Sequence, residues 1–148
     1  MSISLYDQDF YAWANEQARL LRAGALSEAD IEHIAEEIET MGKAEKRELV
    51  SRLAVLLAHL LKWQYQPERR GVSWEVTIGN QRRALVRHLQ DNPSLKSRVQ
   101  EALADAYGDA KGDARAATYL PRETFPASCP WSFEQTMNED FWPDRSLS

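Results

Sequence analysis

The residues best suited to chemistry lie between His59 and Arg82. His59, Lys62, Trp63, Gln66, Arg69, Arg70, Ser73, Trp74 and Arg82 cluster around Pro67. Pro67 ends one helical stretch, because it has no N–H to donate and its ring blocks the preceding turn. Ser73 is a good N-cap for the next helix. The free N–H groups after such a cap, with Arg69 and Arg70 beside them, suit an anion. Trp63 and Trp74 would shield it from water. The ligand-binding candidates are therefore His59, Trp63, Gln66, Arg69, Arg70, Ser73, Trp74 and Arg82. The same residues also fit a structural corner, in which the tryptophans pack and the arginines pair with internal carboxylates.

The other chemistry-bearing residues are more scattered. His33 and Glu37 stand at i, i+4 on one helical face, a spacing that suits a metal. No Glu-x-x-His occurs to complete a di-metal bundle. On one continuous helix His33 and His59 would lie about 39 Å apart. The expectation is an acidic, solvated face with one histidine, and neither metal nor cofactor. Cys129 precedes Pro130, and a thiol just before a helix would be acidified by that terminus. A buried, inert cysteine is the commoner case. His88 follows Arg82, Arg83 and Arg87 and is expected on an exposed basic face. There is no Walker loop, GxGxxG, CxxC, HExxH or GxSxG. Catalysis is left undecided.

These residues need elements to hold them. Apolar side chains recur at Ile31, Ile34, Ala35, Ile38 and Met41, then at Leu49, Leu53, Leu56, Leu57, Leu60 and Leu61. That is the spacing of one face of an α-helix. Ser27 or Asp30 would start it, and it would run from about Glu28 to about Tyr65. Such a rod is roughly 57 Å long, against a diameter of about 40 Å for a globule of this size. A bend or break near Gly42 is expected, or a partner chain covering the overhang. Before it, Asp7 and Gly24 bracket a first helix with Phe10, Trp13, Ala14, Gln17, Leu20 and Leu21 on one face. After it, Ser73 opens a helix to about Gln90. Ser94 caps another, carrying Leu95, Val99, Leu103, Ala106, Ala110, Ala114 and Ala117. The tail from Pro121 is rich in aromatics and prolines, with one short helix near Trp131–Met137.

The fold class expected is all-α: a four- or five-helix bundle around a long second helix, with an irregular aromatic and proline-rich C-terminal strap over 121–148. One domain is expected over 1–148. Net charge is −5, but residues 1–42 carry −7, residues 43–98 carry +7 and residues 99–148 carry −5. An acidic whole argues against general nucleic-acid binding. The longest nearly apolar run, Leu53–Leu61, is far too short to span a membrane. The single cysteine and the absence of a basic, apolar leader in MSISLYDQDF point to a cytoplasmic protein.

The chain resembles a bacterial family catalogued as domain of unknown function twenty-nine. The resemblance rests on Tyr6-Asp7-Gln8-Asp9-Phe10-Tyr11-Ala12-Trp13, on Ala35-Glu36-Glu37-Ile38-Glu39, and on His59 through Pro67. It also rests on Ser73-Trp74 with Thr77-Ile78, and on Phe125-Pro126 with Cys129-Pro130. It covers residues 5 to about 143. It implies a small, soluble helical protein and supplies no catalytic residues. Two functions remain in view. The first is a non-enzymatic interaction or regulatory module, with an unknown protein partner or self-association. The alternative is a small-ligand or anion-binding protein, or an enzyme, using the recess at residues 59–82.

Overall fold

The structure is a computed structural model and describes residues 4–144. The last four residues expected in the strap lie outside the described residues. Among the described residues there are six α-helices and no strand. They are α1 (Leu5–Gln8), α2 (Phe10–Arg22), α3 (Ile31–Tyr65), α4 (Val72–Asp91), α5 (Val99–Thr118) and α6 (Phe133–Met137). The fold is all-α, as the periodicity implies. Two compact units divide between Ala44 and Glu45.

The first unit holds α1, α2 and the start of α3. Asp9, not Asp7, caps α2, its carboxylate accepting the Ala12 N–H at 3.0 Å. Asp7 belongs to α1, the short turn that precedes this cap. Gly24 closes α2 with φ +73°. Ala25 N–H donates to Leu20 O at 2.9 Å and Gly24 N–H to Leu21 O at 3.1 Å. That paired arrangement is the glycine-terminated Schellman end, open to glycine because φ is positive. Asp30 begins α3. It accepts the His33 N–H at 3.4 Å, while its own N–H donates to Gln17 Oε1 at 2.7 Å. Among the described residues of this unit, Trp13, Gln17 and Leu20 are the buried ones.

Helix α3 runs without interruption through Gly42. Of the bend or break expected there, the break does not occur. A helix-interior glycine costs only about 1 kcal/mol relative to alanine, too little to open a continuous ladder.

The second unit packs the leucine face of α3 against α4, α5 and the tail. Leu49, Leu53, Leu56, Leu57, Leu60 and Leu61 are fully buried with Ile78 and Leu85. From α5 come Ala102, Ala106, Ala110 and Ala114, whose small side chains admit close neighbours. α5 continues through Gly108 and Gly112 and stops at Tyr119, which adopts φ 61°. Ser73 does not cap α4. Gly71 takes that position, its carbonyl accepting Glu75 N–H at 3.1 Å, and Ser73 lies one residue inside the helix. Ser94 likewise falls in a 3₁₀ turn, Pro93–Arg98, that delays α5 to Val99.

The tail forms its short helix where expected. Ser132 accepts the Gln135 N–H at 3.0 Å and Gln135 Oε1 accepts the Ser132 N–H at 3.0 Å. That reciprocal pair is a capping box. Phe125 and Trp131 are buried, and Phe133, Met137, Phe141 and Trp142 pack on the core.

Candidate functional site

The contacts of the residues around Pro67 fall into two sets. Arg82 is buried and aims along the tail. Its Nε donates to Thr136 O at 2.9 Å and its Nη2 to Phe141 O at 2.8 Å, with Nη1 3.5 Å from Glu139 O. Burial pushes its pKa down, against the field of Glu139. Arg70 Nε donates to Trp63 O at 2.7 Å, with Nη2 3.5 Å from Pro143 O. The two cations bracket two indoles. Arg82 stands 5.5 Å from the Trp142 ring, Trp142 lies 4.6 Å from Trp63, and Trp63 lies 5.2 Å from Arg70. Trp142 was not among the sequence candidates. Gln66 Nε2 donates to Thr118 O at 3.4 Å. Arg69 and Ser73 are exposed.

His59, Lys62 and Trp74 form a second small group. His59 Nδ1–H donates to Val55 O at 2.8 Å, so its Nε2 is the acceptor, 3.4 Å from Lys62 Nζ. Lys62 Nζ stands 5.2 Å over the Trp74 ring. Burial lowers the pKa of both His59 and Lys62, by disfavouring their charged forms.

In the first unit His33 pairs with Asp30, Nδ1 to Oδ2 at 2.6 Å. It stacks on Tyr6 with centroids 4.0 Å apart. Trp13 Nε1–H donates to the same carboxylate at 3.1 Å. Hydrogen bonding to His33 lowers the Asp30 pKa, and the same bond raises that of His33. Glu37, the i+4 neighbour of His33, accepts instead from the Tyr6 hydroxyl. That bond pushes the Tyr6 pKa up to about 12. The pairing ties α1 and α2 to the start of α3 and leaves Glu37 committed elsewhere than to His33.

His88 is the residue that sequence reasoning misplaced. It is 7% exposed rather than on an open basic face. Its Nε2–H donates to Glu45 O at 2.7 Å. Its Nδ1 lies 2.9 Å from Glu48 Oε2 and 3.7 Å from Glu45 Oε2. Glu45 and Glu48 stand at i, i+3 on α3, a spacing that could have marked them as sharing a face.

Cys129 lines an open groove of about 570 Å³ with Tyr107, Lys111, Arg122, Ser128 and Trp131. Its thiol donates to Trp131 O at 3.4 Å, and burial pushes its pKa up. Helix α6 starts at Phe133, too far on to acidify it. The thiol therefore lacks the acidification expected of a cysteine at a helix N-terminus.

These observations define an all-α protein with a leucine-rich core, a strapped tail and polar clusters built between helices. Residues 5–142 match the family model described as domain of unknown function DUF29, and the chain belongs to that family. No curated protein and no solved structure matches the chain significantly. No helix among the described residues is long and apolar enough to cross a membrane.

Proposed function

We propose that the protein is a non-catalytic interaction module whose docking surface is the first unit, and that its partner presents a basic amphipathic helix. The observation that carries this reading is the balance of apolar side chains. Among the described residues of the first unit, two hydrophobic side chains are buried, Trp13 and Leu20. Eight large ones are exposed: Leu5, Phe10, Tyr11, Leu21, Leu26, Ile31, Ile38 and Met41. The second unit has the opposite balance: among its described residues the exposed large hydrophobics are Val72, Val76, Val86 and Tyr119. Contiguous exposed apolar surface marks an interaction site.

The seam on α3 has a definite shape. Ile31, Ile34, Ile38 and Met41 follow three–four–three spacing, the seam that a second helix packs against. Ile31, Ile38 and Met41 are 54%, 62% and 68% exposed. Ala35 and Gly42 beside them add little bulk. Charge selects the occupant. Residues 1–42 carry −7, so a second copy would bring like charge onto like charge, whereas a cationic helix is steered in.

The test is titration of the full chain with a synthetic lysine/leucine amphipathic peptide, followed by amide chemical shifts. Saturable shifts centred on residues 31–41, lost in Ile38→Ser with Met41→Ser, support the proposal. Binding that ignores these substitutions overturns it. Concentration-dependent dimerisation without peptide, abolished by the same substitutions, would make the occupant a second copy and overturn the basic partner.

A second reading concerns residues 59–82. Lys62, half-buried over Trp74 beside the acceptor nitrogen of His59, supports an anion site there, with exposed Arg69 and Ser73 nearby. Phosphate or sulfate should then raise the melting temperature saturably. The effect should fall in Lys62→Met. An unchanged melting temperature leaves the residues as a structural corner.

A further inference from the structure

We infer that Glu45, Glu48 and His88 form a binding site for a borderline divalent cation such as Zn²⁺ or Co²⁺. One ligand atom from each lies within 4.8 Å of the others. One imidazole with two carboxylates is a donor set that such ions accept.

The hydrogen bonds of His88 single out Nδ1 as the ligand atom. A carbonyl can only accept, so the 2.7 Å contact to Glu45 O fixes the proton on Nε2. In a neutral ring Nδ1 then carries a lone pair. That nitrogen lies 2.9 Å from Glu48 Oε2, with Glu45 Oε2 at 3.7 Å. Three electron-rich atoms lie close together, and a positive centre among them would offset their repulsion. A metal ion supplies it, or a second proton on the ring does. The backbone bond on the far nitrogen is the orienting contact that metal-ligating histidines use.

The distances admit an ion as well as a proton, and the surroundings are built to orient the ligands. Tetrahedral coordination with ~2.0–2.1 Å bonds sets ligand atoms about 3.4 Å apart. The two histidine–carboxylate separations fall on either side of that value, within reach of a small side-chain adjustment. Both carboxylates already have orienting neighbours. Arg52 Nη2 donates to Glu48 Oε1 at 3.2 Å, leaving Oε2 to the site. Asn92 Nδ2 lies 3.5 Å from Glu45 Oε2. The three ligands stand on the long helices α3 and α4. His88 is buried while Glu45 and Glu48 are 48% and 43% exposed, so the ion would enter from the solvent side and keep water in its remaining position.

The experiment is calorimetric titration of the untagged full chain with ZnCl₂, alongside the visible absorption spectrum on adding CoCl₂. One equivalent should bind saturably, with the intense visible bands of low-coordinate cobalt and with the His88 ring resonances moving. His88→Gln and Glu48→Gln should weaken binding by at least about tenfold, the scale on which even outer contacts act. Glu45→Gln, at a more exposed position, checks this where the buried substitution perturbs folding. The proposal fails if no saturable binding occurs, if binding is unchanged in Glu45→Gln and Glu48→Gln, or if the His88 resonances stay still. A doubly protonated His88 ring that metal does not displace would also overturn it and leave an ion pair.

Discussion

The Nη2 of Arg82 donates to the backbone carbonyl of Phe141 across 2.8 Å, from a side chain that is 3% exposed. An arginine selected in the sequence as an anion ligand thus holds the tail. Removing it strands the carbonyls of Thr136 and Phe141 in a buried place, at about 1–3 kcal/mol for each unsatisfied group. Arg82→Met should lower unfolding stability by about 3 kcal/mol or more in a urea titration. Proteolysis should then cut after residue 120 first. A loss below about 1 kcal/mol would mean that the tail is held by its aromatics alone.

Leu56 is fully buried among the other α3 leucines. Leu56→Ala should cost about 2–5 kcal/mol, the range for a cavity in a packed core. Chemical denaturation measures it, and a smaller loss would mean that the helices collapse onto the gap.

A Cβ built on Gly42 meets nothing within 4 Å, and its helix runs on at both sides. Gly42→Ala should therefore stabilise by about 0.5–1 kcal/mol, through the restricted unfolded chain. A fall in melting temperature would show that the position needs glycine for some bound state.

The Asp30–His33 pair makes stability depend on pH in a defined direction. The His33 pKa is raised by its bond to Asp30, so its contribution is complete below the unfolded value near ~6.5 and fades as pH rises through the folded value. The Asp30 pKa is lowered by the same bond, so its contribution is complete above ~3.9 and fades as pH falls through the folded value. The melting-temperature gap between the wild type and His33→Gln should be widest between about pH 4 and 6.5 and narrow on both sides. A gap that does not vary with pH would make the histidine a stacking platform for Tyr6 and nothing more.

Gln64 is 5% exposed, and its Oε1 has no hydrogen-bond partner among the described residues. A buried polar atom without a partner costs free energy, and replacing it by an apolar group of similar shape removes that cost. Gln64→Met should be neutral or should raise stability by up to about 2 kcal/mol on denaturation. A loss would point to a water or ligand that Oε1 serves.

Much of the fold was legible because its signals are local. The leucines from Leu49 to Leu61 announce one buried face, Gly24 a helix end, Pro67 a corner, and the stretch near Trp131–Met137 a short helix in the tail. Less was legible where two signals compete nearby. Asp7 reads as the cap of the first helix, and Asp9, two residues on, took the place. Ser73 reads as a cap, and extended Gly71 took the place. Long-range register was not legible at all. His88 meets Glu45 across 43 residues, and only the packing of α3 on α4 decides that they touch. Arg70, Trp63 and Arg82 were recognised, but the tryptophan that joins them, Trp142, comes from the tail, whose path leaves no periodic trace.

Helix α3 passes from one compact unit into the other without a break at Gly42. The helix is continuous, but what shields its backbone is not the same along its length. Amides from Leu49 to Leu61 belong to the leucine core and exchange with solvent only when that core opens as a whole. Amides from Ile34 to Lys43 sit over a thin apolar set and exchange through smaller openings. Deuterium uptake along this one helix should therefore climb steeply toward its N-terminal half. A partner that covers the seam would flatten that gradient, so that binding is read as a slowing of the fast half alone.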